Sequence, residues 1–131
     1  MTRAARPWDV YKIFTEQTNP PKLKYLIITH VPHGGNYCYG IFINSERTAF
    51  QQQEHLDSCF IRVPVRDHDF LRWDSFAACG DVYTFQNHLL TDQTYQGQIH
   101  ADTAQAIIDG AVACPILKGG HKRNMAALPL P

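Results

Sequence analysis

The sequence predicts a small, mainly-β single domain with one helix near its C-terminus. Three observations indicate this fold class. The chain has 131 residues, a length that suits one compact domain. It contains several short runs of β-branched and aromatic residues, separated by turns that contain glycine or proline. Only the stretch 100–114 shows a clear apolar stripe at helical spacing.

Five strands are predicted from the short apolar runs. They lie at 6–14, 25–31, 37–45, 59–66 and within 76–85. The run YLIITHV at 25–31 is typical of a strand buried on both faces. The two glycines of PHGGN at 32–36 tolerate positive φ and indicate a hairpin turn. Pro64 lacks the N–H that a central strand donates, so the strand that contains it is predicted to lie at an edge or a bulge.

The helix is predicted at 100–114. Asp102 is the predicted N-cap, and Gln105 three residues later completes a capping box. Its apolar stripe consists of Ala104, Ile107, Ile108, Ala111 and Val112. A strongly bent β-barrel with this helix packed on it leaves few open sheet edges, and we expect that architecture. The tail 118–131 is rich in glycine and proline and is predicted to be flexible, which leaves an ordered core at about 6–117.

Composition excludes some classes of protein and leaves others open. Hydrophobic residues make up 44% and charged residues 18%, which excludes an intrinsically disordered chain. The 12 Lys and Arg balance the 12 Asp and Glu, so the strongly basic charge of many nucleic-acid-binding proteins is absent. A local basic patch is compatible with this balance. The apolar runs are too short to cross a bilayer, so no membrane partner is expected.

The cysteines and histidines suggest neither a metal site nor a secreted protein. Cys38, Cys59, Cys79 and Cys114 have no zinc-knuckle spacing. The N-terminal residues lack the apolar core of a secretion signal, so we expect a cytoplasmic protein with four reduced thiols; two disulfides are the alternative. His30 and His33 can lie close together, but the spacing supplies no third ligand. No metal and no cofactor are therefore expected.

The order of several short motifs resembles the PemK/MazF toxin family. These motifs are RPWDVYKI at 6–13, Lys24 before YLIIT, FINS ending at Ser45, FAACGDVYTF at 76–85 and GQI at 97–99. The resemblance spans roughly residues 6–117. It implies an SH3-like β-barrel and, for active members, an endoribonuclease of a toxin–antitoxin system that works without a metal. It also implies a homodimer, with single-stranded RNA and an antitoxin protein as partners.

The resemblance also implies where catalysis takes place. Cleavage of RNA without a metal can use the 2′-hydroxyl of RNA as nucleophile, helped by a base, an acid and a cation. Family members place a basic residue at the entry to the second strand and a hydroxyl after the third strand, which match Lys24 and Ser45. Family members use Arg for this cation, and Arg47, two residues beyond Ser45, can supply the guanidinium. Lys24, Ser45 and Arg47 are thus the catalytic candidates.

Two further groups of residues are candidates for substrate binding. Tyr37 and Tyr39 share one strand face and can form a stacking platform for bases, or simply pack against neighbouring strands. Arg62, Arg66 and His68 form a second polar cluster, although exposed charges are often only solvated. Because a fold does not fix a function, the alternative is a non-catalytic barrel that binds a protein or nucleic acid partner.

Overall fold

The structure is a computed structural model that describes residues 3–18, 20–48 and 52–131. It contains one six-stranded antiparallel sheet and two C-terminal α-helices. The strands are β1 (Asp9–Thr15), β2 (Lys22–His30), β3 (Tyr37–Asn44), β4 (Phe60–Val63), β5 (Ser75–Gln86) and β6 (Tyr95–Gln98). The helices are α1 (Ala101–Ala113) and α2 (Gly119–Ala126), and short 3₁₀ helices lie at Glu54–Cys59, Val65–Asp67 and Asn87–Leu89. The predicted mainly-β fold with a C-terminal helix is confirmed.

The sheet is curled, and its strands follow the order β4-β5-β3-β2-β1-β6. The pairing register shifts in β1 between Val10 and Tyr11, and in two other strand pairs. Such irregularities bend a strand and increase its twist. The 12 residues of β5 pair with β3 and also with β4. Within the described residues β4 and β6 are the edges, and β4 ends at Val63, as the proline that follows requires.

Both faces of the sheet are buried. On one face the larger core packs the sheet against α1 and α2, and it includes Val10, Ile27, Ile41, Ile107 and Met125. On the other face a smaller core contains Tyr11, Leu26, Ile28, Phe42 and Leu90. The α1 stripe is confirmed at Ala104, Ile107, Ile108 and Ala111, but Val112 is 49% exposed. Among the described residues no helix is long and apolar enough to span a membrane.

The start of α1 differs from the predicted capping box. The N-cap is His100, whose Nδ1 accepts a hydrogen bond from the backbone N–H of Asp102 at 3.3 Å. Asp102 already has helical geometry in the first turn, where its negative charge interacts favourably with the helix dipole. The prediction of Asp102 as N-cap was therefore wrong by two residues.

The C-terminal tail forms a helix where a flexible segment was expected. Met125 of α2 is 1% exposed and belongs to the larger core. Beyond the helix, the indole Nε1 of Trp8 donates a hydrogen bond to the carbonyl of Pro129 at 2.6 Å. These two long-range contacts hold a segment whose own composition favours no structure.

Two of the four cysteines form a disulfide, so the expectation of four reduced thiols was wrong for this pair. Cys59 follows Ser58 at the end of a 3₁₀ helix, and Cys114 directly follows α1. The fold brings their Cα atoms to 5.1 Å, within the normal range for a disulfide. Cys38 and Cys79 are free and buried, and burial raises the pKa of each thiol to about 11.

Candidate functional site

A cavity of about 400 Å³ lies where β2 begins and β3 ends. Strands β1, β2 and β3 form one side, and the connection from β4 to β5 forms the other. Its polar and aromatic lining comprises the cations Lys12, Lys22, Lys24 and Arg72, the hydroxyls of Ser45 and Ser75, and the rings of Tyr25 and Trp73. Trp73 is 54% exposed, so this part of the lining is accessible to solvent.

Strand register explains why one part of this lining comes together. Tyr25 of β2 pairs with Lys12 of β1 on one side and with Ile43 of β3 on the other. The ammonium of Lys12 lies 5.2 Å from the centre of the Tyr25 ring. The hydroxyl of Tyr25 donates to the carbonyl of Phe70 at 3.0 Å, and the two rings are in contact. Tyr25 therefore fixes the loop that carries Arg72 against the sheet.

Lys24 is half-buried and is one of the residues that line this cavity. Its ammonium donates a hydrogen bond to Oδ1 of Asn44 and lies 5.7 Å from the centre of the Phe42 ring. Burial lowers the pKa of Lys24 below its usual value, and the positive charge of Lys22 lowers it further. A cation that has lost water and faces another cation is stabilised by a bound anion.

The cavity is locally positive although the chain as a whole is neutral. None of the described Asp and Glu residues lines it. In the described part of the chain, its four cations form no salt bridge with a carboxylate. The local basic patch that the composition left open is therefore present. Lysine and arginine that face a cavity without counter-charge are typical of sites for phosphate groups.

Arg47 lies outside this cavity. Its guanidinium forms a salt bridge with Asp57 at 2.9 Å and lies 4.8 Å from the centre of the Phe60 ring. It lines a neighbouring cavity together with Ser45. Of the three catalytic candidates, the structure thus brings Lys24 and Ser45 to one cavity and places Arg47 on the other side of Ser45. Arg72 is the guanidinium that shares the cavity with Lys24.

Arg62 and Arg66 lie on the surface and are not among the residues that line the cavity. Arg62 forms a salt bridge with Asp74, whose pKa is lowered first by the backbone N–H of Val65 and then by Arg62. The side chain of Arg66 is 84% exposed and lies 3.8 Å from Asp67. Neither arginine lines the cavity, so we leave both out of the proposed site.

His68 is 1% exposed, and its ring joins two separate segments of the backbone by hydrogen bonds. Its Nε2 accepts a hydrogen bond from the backbone N–H of His100 at 3.0 Å, which places the proton on Nδ1. Nδ1 then donates to the carbonyl of Pro64 at 2.7 Å. Both ring nitrogens are used inside the protein, so the structure does not support the predicted role of His68 in substrate binding.

Tyr37 and Tyr39 lie at the opposite end of β3 from Ser45. Their rings are 5.7 Å apart in an edge-on arrangement. Tyr39 also stacks on His30 at 5.8 Å and contacts His121 at 5.5 Å. These contacts agree with the alternative expectation that the two tyrosines pack against neighbouring elements. Base stacking by the two tyrosines stays a prediction.

Solved structures with the same arrangement of elements identify the fold. The Mycobacterium tuberculosis toxin MazF-mt6 superposes with a TM-score of 0.61 at 13% identity, over 86% of this chain and 99% of that one. The chain has a MazF-like fold. A structure described as an endoribonuclease from Mycobacterial species superposes with a TM-score of 0.59 at 14% identity, over 100% of this chain and 99% of that one. No protein-family model and no curated protein matches the sequence.

The sequence predicted only Lys24 and Ser45 among the residues that line this cavity. Lys12, Lys22, Arg72 and Trp73 were not among the predicted site residues, although all four line it. One signal was present, since Lys22 and Lys24 alternate along β2 and so share a strand face. No local pattern placed Arg72 and Trp73, because their loop is positioned by contacts with Tyr25.

Proposed function

We propose that this protein is an endoribonuclease that cuts single-stranded RNA at the cavity between β2, β3 and the loop 71–75. The observation that carries the proposal is the set of four cations that line the cavity without a carboxylate. The MazF-like fold supports it, since the two compared structures are a toxin and an endoribonuclease. Lys24 and Ser45, the positions matched to the PemK/MazF motifs, both line this cavity.

The proposed reaction uses the RNA's own 2′-hydroxyl. The 2′-hydroxyl gives its proton to water as its oxygen attacks the adjacent phosphorus and a new P–O2′ bond forms. The P–O5′ bond breaks with its electron pair on the 5′ oxygen, which takes a proton from water and leaves as a 5′-hydroxyl, and a 2′,3′-cyclic phosphate remains. Negative charge builds on the phosphorane oxygens, and Lys24 and Arg72 stabilise it. Ser45 orients the reacting group by a hydrogen bond. The incoming phosphate replaces Asn44 as the partner of Lys24.

Arg72 takes the role that the sequence assigned to Arg47. A guanidinium binds two phosphate oxygens at once, which an ammonium cannot do. Arg72 shares the cavity with Lys24, whereas Arg47 is held by Asp57. We therefore propose Lys24, Ser45 and Arg72 as the catalytic set, with Lys12 and Lys22 binding flanking phosphates.

The test is cleavage of a mixed-sequence RNA by the purified protein in EDTA, with analysis of the product ends. Lys24→Ala is expected to lower the rate by about a hundred- to a thousandfold, the usual effect of removing one group that stabilises transition-state charge. Lys24→Arg should retain activity. Arg66→Ala removes the same charge at an 84% exposed side chain outside the cavity and should leave the rate unchanged. Wild-type activity in a folded Lys24→Ala protein would contradict the proposed site.

One observation favours a second candidate function, a barrel that binds RNA without cutting it. Among the residues that the structure describes, no histidine and no carboxylate lines the cavity to act as a general base. RNA that binds to the cavity in a Lys24-dependent way but is never cleaved would support this alternative. The same assay therefore separates the two functions.

The partners and the location follow from the fold and from the resemblance. We propose a homodimer that acts in the cytoplasm and is restrained by an antitoxin protein. The Cys59–Cys114 disulfide is unusual for such a location, because cytoplasmic thiols are mostly kept reduced.

A further inference from the structure

A second cationic cavity lies at the other end of β2 and β3. It has a volume of about 440 Å³ and is lined by Tyr39, Lys118, Gly120, His121, Arg123 and Asn124. Tyr39 pairs with His30 at the end of β2, whereas the first cavity contains Tyr25 near its start. The two cavities are therefore about 17 Å apart along the strand, from five residues at about 3.3 Å each.

The charge of this second cavity is uncompensated. No carboxylate of the described ranges lines it, and the sequence contains no Asp or Glu after Asp109. Lys118, His121 and Arg123 form no salt bridge with a carboxylate of the described residues. The guanidinium of Arg123 lies beside Gly120, which has no side chain to shield it.

The backbone that carries these cations is ordered and lies beside a group of aromatic rings. The Tyr39 ring contacts the rings of His30 and His121 at 5.8 and 5.5 Å. Helix α2 carries Arg123 and is anchored in the core by Met125. The cations are therefore presented by an ordered element and not by a flexible tail.

We propose that this second surface, formed by Tyr39, Lys118, His121 and Arg123, binds backbone phosphates of the same RNA strand that enters the first cavity. The inference rests on the proposed function. Lysine and arginine without counter-charge suit phosphodiesters, which carry one negative charge per nucleotide. RNA is favoured over an acidic peptide because both ends of the β2–β3 pair carry such a cavity. An RNA strand that is bound in one cavity is present at a high effective concentration at the other cavity.

The experiment measures binding of a 2′-O-methyl RNA, which lacks the nucleophile and cannot be cut. The labelled strand has about 20 nucleotides. It is therefore longer than the roughly 4–16 nucleotides that one small single-strand-binding domain covers, and it can reach both cavities. Its affinity is measured by fluorescence anisotropy across salt concentrations. Removing two phosphate-binding cations with Lys118→Ala/Arg123→Ala should reduce the slope of log K against log salt by about 1.4, from about 0.7 per cation on a single strand.

The control is Lys122→Ala/Arg66→Ala, which removes the same charge at residues that do not line the cavity. This control should leave the slope nearly unchanged. Equal slopes in the two double variants would overturn the inference. A polyglutamate peptide is the third probe. If its affinity falls as steeply as that of RNA in the lining variant, the assignment of RNA to this surface is wrong.

Cleavage of a short RNA distinguishes this inference from the proposed function. The lining variant should cut an RNA of about 4 nucleotides, the lower end of such site sizes, at the wild-type rate when substrate saturates. If the wild type cuts RNA and the slopes do not change, the second surface fails and the proposed function stands. If the wild type never cuts RNA and the slope still falls, the proposed function fails and the second surface stands as an RNA-binding site.

Discussion

Breaking the Cys59–Cys114 disulfide tests how much this cross-link stabilises the folded protein. The bond closes a loop with a sequence separation of 55 residues. In the chain-entropy treatment, a loop of that length stabilises the folded state by about 4 kcal/mol at 25 °C, because the cross-link restricts the unfolded chain. A small domain is stable by only about 5–15 kcal/mol in total. Reduction is therefore expected to remove a large fraction of the stability.

The assay is urea denaturation with and without dithiothreitol, followed by circular dichroism. The midpoint should fall on reduction, and Cys59→Ala/Cys114→Ala should lie near the reduced midpoint and not respond to dithiothreitol. The matched control, Cys38→Ala/Cys79→Ala, removes the two free thiols and should keep the full response to reductant. Thiol titration in denaturant should find two reactive groups. Four reactive thiols, or a midpoint that dithiothreitol does not move, would refute the reasoning.

Two further predictions concern the first cavity. Lys24 must be protonated to stabilise the phosphorane, so activity should fall as the pH rises through its lowered pKa, below the ordinary value of 10.5. Lys22→Gln removes the second cause of that lowering and should shift the alkaline limb of the pH–rate profile to higher pH; an unmoved limb would contradict the coupling. Trp8 is 1% exposed and Trp73 54% exposed, so RNA should quench tryptophan emission in the wild type but not in Trp73→Phe. Equal quenching in both proteins would place the RNA elsewhere.

The elements that could be predicted are those whose residues specify them locally. The run YLIITHV and the stripe around Ile107 show their period within one segment, and both formed as predicted. Strand β6 was missed because YQGQ has no apolar alternation and is a strand only through its pairing with β1. Helix α2 was missed for a similar reason, since the burial of Met125 depends on the fold around it.

The candidate site could be predicted only where it lies on strands. Lys24 and Ser45 occupy strand ends that register brings together, and the resemblance pointed to both. Arg47 follows Ser45 closely in sequence, yet it lies outside the cavity, where it forms a salt bridge with Asp57. Arg72 comes from a loop that the sequence marked only as a charged connection. The choice between these two arginines depends on tertiary contacts that no local pattern contains.

The buried His68 has a consequence for how a ligand enters the first cavity. His68 ties the start of the 68–74 loop to α1 through the N–H of His100, and Asp74 ties its end to the N–H of Val65. Tyr25 bonds the middle of the loop to the sheet. Folding has thus already met the entropic cost of ordering this wall, and an arriving ligand need not meet it again. Affinity at this cavity should therefore depend mainly on charge and on displaced water, and little on closure of the loop.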